Sequence, residues 1–235
     1  KFIDGVISQY NQNYLDDLLK YNRALLQRNN LLKQFSLERY FDVELLAIWD
    51  NQLIEYGNRI HKFREEFVKK LIPKFQHYYS FISQVNEMVG LIHQSDLYKN
   101  NFDELLKNSI AKDRAVQHTT VGIHKDDLVL NIGDYPIKKL GSQGQKKTFL
   151  AALKLAQFDF IKEISGLKPV LLLDDIFDKL DHHRVEQIIK IVSDQQFGQI
   201  FITDTNRQHL NTIIENMNTD FRIFNVNSGT VELVK

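Results

Sequence analysis

The chain has 235 residues, 43% hydrophobic and 26% charged, enough apolar material for one large core or two modest ones. Its 30 basic and 30 acidic side chains cancel to a formal net charge of zero, which excludes a uniformly basic nucleic-acid binder and leaves room for a local basic patch. There is no cysteine, so neither a disulfide framework nor a thiolate metal site can form, in keeping with a reducing compartment. Apolar runs such as Val170 to Leu173 fall far short of the ~20 residues that span a bilayer.

The first third reads as two long helices. Tyr14, Leu18, Tyr21, Leu25, Arg28, Leu32 and Phe35 alternate spacings of four and three with one charged interruption. Leu46, Trp49, Leu53, Tyr56, Ile60, Phe63 and Phe67 repeat the pattern without one. Such a seam faces a partner helix. Asp42 is placed to cap the second helix and Pro73 to end it. The short link from Ser36 to Phe41 predicts an antiparallel hairpin with arms of roughly 35–45 Å, cemented by Trp49, Phe63 and Phe67.

Tyr78 to Ile92 suits either strand or helix, and Asn101 to Gln117 reads as helix. Val121 to Ile137 alternates around a turn at Asn131-Ile132-Gly133-Asp134, which predicts a β-hairpin. A helix (Gln143 to Ile164), a buried strand (Val170 to Leu173), a helix (Asp181 to Asp194) and a strand (Gln199 to Thr203) follow. A helix (Arg207 to Met217) and a hairpin about Asn227-Ser228-Gly229 complete the chain. Strand and helix in alternation imply an α/β fold with a mainly parallel sheet covered by helices. The expected organisation is a helical-hairpin arm over 1–74, a return to the head over 75–118, and an α/β lobe over 119–235.

The chemistry concentrates in the last part. In Val170-Leu171-Leu172-Leu173-Asp174-Asp175, four apolar residues read as a strand buried on both faces. Two carboxylates emerge at its C-terminal end, where open α/β sheets place ligands. In a Walker B motif the first carboxylate holds Mg²⁺ through water and the second polarises the attacking water. Alone, the pair reads equally well as an acidic, helix-capping turn. Asp178-Lys179-Leu180-Asp181 follows it. Upstream, Leu140-Gly141-Ser142-Gln143-Gly144-Gln145-Lys146-Lys147 opens a long helix, where a hydroxyl and a glycine expose donors to an anion. Alone, that stretch is a capped helix start.

In order and distance these three stretches resemble the signature, Walker B and D-loop of ABC-type ATPases. With Gly122-Ile123-His124-Lys125-Asp126-Asp127 ahead of the signature and basic residues after it, the chain resembles the RecF family over nearly its whole length. Ile123 and Lys125 stand where that family carries proline and arginine, and His124 reads as a satisfied structural histidine. Phe201-Ile202-Thr203-Asp204-Thr205 carries no switch histidine. The resemblance implies an ABC-ATPase-type head lobe with an antiparallel helical-hairpin arm.

The resemblance also implies ATP and Mg²⁺ as cofactors and a homodimer formed on ATP. Ser142, Gly144 and Gln145 would cap the nucleotide held by the second copy, Asp181 would align the two sites, and Asp204 or Thr205 would face the γ-phosphate. Asp174 would hold the metal, and Asp175 would take the catalytic position usually held by glutamate, which implies slow turnover. A cytoplasmic protein, partnered by gapped or junction DNA and by recombination mediator proteins, follows from the same resemblance. Lys138, Lys139, Lys146 and Lys147, or Lys69 and Lys70, are candidate DNA contacts that read equally as solvated faces. Two other readings stay open: an SMC-type ATPase head, whose arms are far longer, and a non-enzymatic docking module.

No Gly-Lys dipeptide occurs in the chain, so the P-loop pattern is absent. The start, Lys1-Phe2-Ile3-Asp4, has neither an initiator methionine nor a signal-peptide pattern. The resemblance implies that the phosphate-gripping segment precedes the arm and is missing. The 235-residue chain alone is therefore expected to bind Mg-ATP more weakly than micromolar, which isothermal titration measures directly.

Overall fold

A computed structural model describes residues 1–85, 87–174, 180–193, 197–203 and 220–234. The chain divides into two units, Lys1–Leu167 and Lys168–Lys235.

In the first unit a short helix, α1 (Phe2–Ile7), precedes the hairpin of α2 (Gln12–Glu38) and α3 (Val43–Ser83). Side-chain caps start both long helices: Asn11 accepts from Tyr14 N, and Asp42 accepts from Glu44 N and Leu45 N. Arg39, in the left-handed region at φ 54°, ends α2 and turns the chain. Leu32, Phe35 and Leu46 form the core of the tip, with Leu31 and Phe41 against it. Along the seam Tyr14, Tyr21, Leu53, Ile60 and Phe67 are buried, while Leu18, Leu25, Trp49 and Phe63 are only half-buried and their neighbours Asp17 and Ala24 are buried instead of the two leucines. Phe63 meets Tyr14 of α2 edge-on at 5.9 Å, and Phe67 packs edge-on to Phe160, ring centroids 4.8 Å apart.

The charged interruption of the seam is as enclosed as any of its members. Arg28 has no solvent exposure and donates to Asp50 (2.5 Å), Asp113 (2.7 Å) and Thr119 Oγ1 (2.9 Å). Asp113 lies on α4 (Phe102–Val116), which Asn101 caps. One buried ion thus staples α2, α3, α4 and the segment after α4 together. A charge in that position is tolerated because Nε and Nη1 find two carboxylates and a hydroxyl, although Nη2 has no hydrogen-bond partner among the described residues.

Pro73 does not end the second helix: α3 runs ten residues further, to Ser83. The backbone bond that proline removes is outweighed by packing on α6 (Gln143–Ser165). Phe75 and Tyr79 meet Phe149 at 5.0 and 4.8 Å, and Lys74 pairs with Asp159 and Glu163 at 2.7 and 2.8 Å. At 41 residues, α3 is about 60 Å long.

The expected hairpin over 121–137 is also redrawn. Ile123–Lys125 form a 3-10 turn, and β2 (Asp127–Ile132) pairs along its length with β1 (Val89–Gln94). Its hairpin partner β3 (Tyr135–Pro136) contributes only two residue pairs. A single turn, α5 (Ile137–Leu140), then leads to α6.

In the second unit β4 (Leu171–Asp174) and β5 (Ile200–Thr203) pair in parallel, α7 (His182–Ser193) lies between them in sequence, and β6 (Phe224–Asn227) pairs with β7 (Thr230–Leu233) as a hairpin. The α/β expectation holds, but β4 alternates: Leu171 and Leu173 are buried while Leu172 is 70% exposed. Among the described residues only one face of that pair is covered, so the expected two-face burial does not hold. The helix expected over Arg207 to Met217 lies outside the described residues.

Replacing Asp113 by alanine leaves the Arg28 charge enclosed without its main partner. The variant is expected to lose about 3–5 kcal/mol of stability, read by urea denaturation.

Candidate functional site

The start of α6 is shaped by the residues before it. A Cβ on Gly141 would lie 2.4 Å from Ile137 Cγ1 and 2.8 Å from the Ile137 carbonyl oxygen, so only glycine permits the return from α5. Ser142 then caps α6. Its Oγ accepts from Gln145 N at 3.1 Å, and Gln145 Oε1 accepts from Ser142 N at 2.9 Å, which closes a capping box. The N–H groups of Gln143 and Gly144 belong to the first turn and have no acceptor within the helix. Ser142 uses a lone pair in the box and keeps its hydroxyl proton to donate.

Ser142, Gln143 and Lys146 are exposed, as are Lys138 and Lys139 on α5. A hydroxyl, helix N-terminal amides and nearby ammonium groups make this end receptive to an anion. The sequence grouped Gln145 with the ligand contacts, but its amide works inward. While Oε1 holds Ser142, Nε2 donates to Glu87 Oε1 at 3.0 Å. Glu87 Oε2 accepts in turn from the Tyr79 hydroxyl of α3 at 2.5 Å. Glu87 and Tyr79 escaped the sequence reading because nothing in their local pattern marks them; only the packing of α3 on α6 brings them there.

In the second unit Asp174 stands exposed at the C-terminal end of β4, in register with Thr203 of β5, whose Oγ1 donates to Asp174 Oδ1 at 2.5 Å. A carboxylate and a hydroxyl side by side are hard oxygen donors that fit a hydrated magnesium ion. Asp181 caps α7: its Oδ1 accepts from Arg184 N at 2.9 Å and its Oδ2 lies 3.5 Å from Arg184 Nε. Asp175, Asp204 and Thr205 lie outside the described residues. Among the described residues no group of three or more His, Asp or Glu is spaced to hold a metal ion.

The stretch before the signature is enclosed by the arm. Gly122, at φ 111°, has no room for a side chain, since a Cβ would lie 2.6 Å from Phe102 Cζ and 2.8 Å from the Tyr21 hydroxyl. His124 is satisfied at both nitrogens: Nε2 donates to the Thr119 carbonyl at 3.2 Å, and Nδ1 accepts from the Tyr21 hydroxyl at 2.9 Å. Asp126 receives Arg64 Nη1 at 2.8 Å, and Arg64 also holds the Ile123 carbonyl at 2.7 Å. A cavity of about 760 Å³ opens beside Tyr21, Arg64, His93, His124 and Asp126; its lining includes none of residues 142–145.

No family model matches the chain. It is 50% identical over 232 residues to a protein of Phocaeicola vulgatus named DNA replication and repair protein RecF, a match over 98% of this chain and 62% of that one. Proteins of the same name from Bacteroides fragilis and Flavobacterium johnsoniae are 50% and 47% identical over 98% and 96% of the chain. The chain thus spans somewhat over three fifths of the length of these relatives. A solved structure described as the recombination mediator protein RecF-ATPrS in the RecFOR pathway superposes with a TM-score of 0.80 at 33% identity, covering 100% of this chain and 62% of that one. The Smc head domain of Pyrococcus furiosus shares the fold, with a TM-score of 0.51 at 15% identity over 99% of this chain and 55% of that one.

Burial pushes the His124 imidazole below its ordinary pKa, Lys125 adds to this, and Thr119, Asp126 and Asp113 oppose it. The folded chain therefore keeps the ring neutral at a pH where the unfolded chain takes a proton. The contribution of His124 to stability is full above about pH 6.5 and is lost as the pH drops below it. His124→Gln, which cannot titrate, is expected to shrink the fall in melting temperature between pH 7 and 5.5. His61, lowered in the same direction by burial, keeps it from vanishing.

Proposed function

The chain belongs to the RecF family, and from that premise we propose that it forms part of an ATP-dependent DNA-binding protein of recombinational repair and replication restart. Its specific contribution is the start of α6, offered to a nucleotide held by a second copy. The observation that carries this reading is the closed capping box, which leaves the Ser142 proton and the amides of Gln143 and Gly144 available to phosphate oxygens. Lys146 adds positive charge to the same turn. The relatives' shared name and the ATPrS named with the similar structure support the reading.

Within it, Asp174 and Thr203 would hold Mg²⁺, which would neutralise phosphate charge, and Asp175 would orient the attacking water. Aspartate is one methylene shorter than the glutamate usual there. Turnover is therefore slow, and nucleotide serves to time dimerisation. Asp181, fixed by Arg184, sets the turn where the two sites align, and the γ-phosphate contact falls to Asp204 or Thr205. Gapped or single-strand/double-strand junction DNA and recombination mediator proteins are the partners, in the cytoplasm, and recombinase loading is the outcome. No helix among the described residues is long and apolar enough to cross a membrane. Because the chain spans 62% of its relatives, these activities belong to the longer protein.

The test is light scattering on the protein at the full length of its relatives, with and without Mg-ATP, for wild type and Ser142→Arg. The expected result is a dimer that needs ATP and that the arginine abolishes. A mass indifferent to ATP, or a dimer that survives the substitution, would replace this reading with a docking module.

A further inference from the structure

We propose that Glu87 is a positioning residue for the signature helix: it selects the one orientation of the Gln145 amide that keeps the start of α6 ready for ligand. The inference rests on the nucleotide-sandwich reading above and deepens it.

A glutamine amide can sit in either of two flips, and the capping box works in only one. Oε1 must point at Ser142 N, as it does at 2.9 Å, so Nε2 must point the other way. There it meets Glu87 Oε1 at 3.0 Å. An ionised carboxylate only accepts, so it admits the NH₂ end of the amide and repels the carbonyl end. In the opposite flip two oxygens would face each other at Glu87 and two N–H donors at Ser142. The return bond to Ser142 N would be lost, leaving the cap held only by the Ser142 Oγ that accepts from Gln145 N.

Glu87 is itself held. Its second oxygen accepts from the Tyr79 hydroxyl at 2.5 Å. Tyr79 has no solvent exposure and packs on Phe149 of α6 at 4.8 Å. On the other side the neighbouring Met88 carbonyl accepts from Gly133 N, in the β2–β3 turn, at 2.6 Å. Tyr79 belongs to the last turn and a half of α3, the same helix whose first turn is at the tip of the arm. The chain of contacts Tyr79–Glu87–Gln145–Ser142 therefore joins the arm helix to the backbone N–H of the cap residue Ser142 through three hydrogen bonds.

The experiment uses the full-length protein and compares Glu87→Gln with Tyr79→Phe and Ser142→Arg. Glutamine keeps the size of Glu87 but can offer its own NH₂ group to Gln145, so the selection is lost. Glu87→Gln is expected to raise the dissociation constant of the Mg-ATP-dependent dimer roughly tenfold, the scale of one hydrogen bond to a charged group. Tyr79→Phe is expected to raise it less. Affinity of a single copy for a fluorescent ATP analogue and the melting temperature stay at the wild-type values. If both variants dimerise as wild type while Ser142→Arg does not, the sandwich stands and the role of Glu87 is overturned. If both lose melting temperature or single-copy nucleotide affinity in step with dimerisation, Glu87 serves folding alone and the proposal fails. A dimer that survives Ser142→Arg removes the sandwich reading itself, and this inference with it.

Discussion

The guanidinium of Arg64, 7% exposed, is the point on which the first unit converges. It donates to Asp4 on α1, to the Tyr14 hydroxyl on α2, and to the Ile123 carbonyl and Asp126 ahead of β2. An enclosed cation is strongly destabilising unless its protons are matched. The α1–α2 start, α3 and the segment ahead of β2 must therefore arrive together. Burial raises the Asp4 carboxyl, but Arg64 and the Tyr14 hydroxyl more than offset that and hold it below the usual carboxylate range. Arg28 repeats the arrangement farther along the arm, with Asp50, Asp113 and Thr119.

Both arginines grip the segment between α4 and β2, and that segment continues through β2, β3 and α5 into Ser142. The arm is thus bonded to the approach to α6 from one side and, through Phe75, Tyr79 and Lys74 of α3, to the flank of α6 from the other. A helix start held from two directions keeps its amides and hydroxyl aimed without help from a ligand, which is the preorganisation an anion site needs.

Much of this was legible in residue order, and the parts that were not share a cause. Asp42, Asn101 and Ser142 announce helix starts because a cap is a local contract between a side chain and amides two or three residues on. The seam of α2 and α3 and the strand at Leu171 were equally local. Pro73 misled because its penalty is local while the packing that overrides it comes from α6, some 80 residues away in sequence. Leu172 looked enclosed because composition cannot say which face of a strand is covered. Gln145 was grouped with the ligand contacts because its motif spacing is visible and Glu87, its acceptor across the fold, is not.

Three of the long helices, α2, α3 and α4, stop on a residue in the left-handed region that is not glycine: Arg39, Gln84 and Gln117. Each such residue holds its side chain against its own backbone at a cost of roughly 1–2 kcal/mol that glycine would avoid. The fold therefore sits below the stability its own architecture allows, and the shortfall is concentrated at the arm tip, at the junction before Glu87 and at the end of α4. Gln117 is bracketed by Asp113 and Thr119, which Arg28 holds, so thermal fraying should begin at the arm tip, where among the described residues no such staple reaches Arg39.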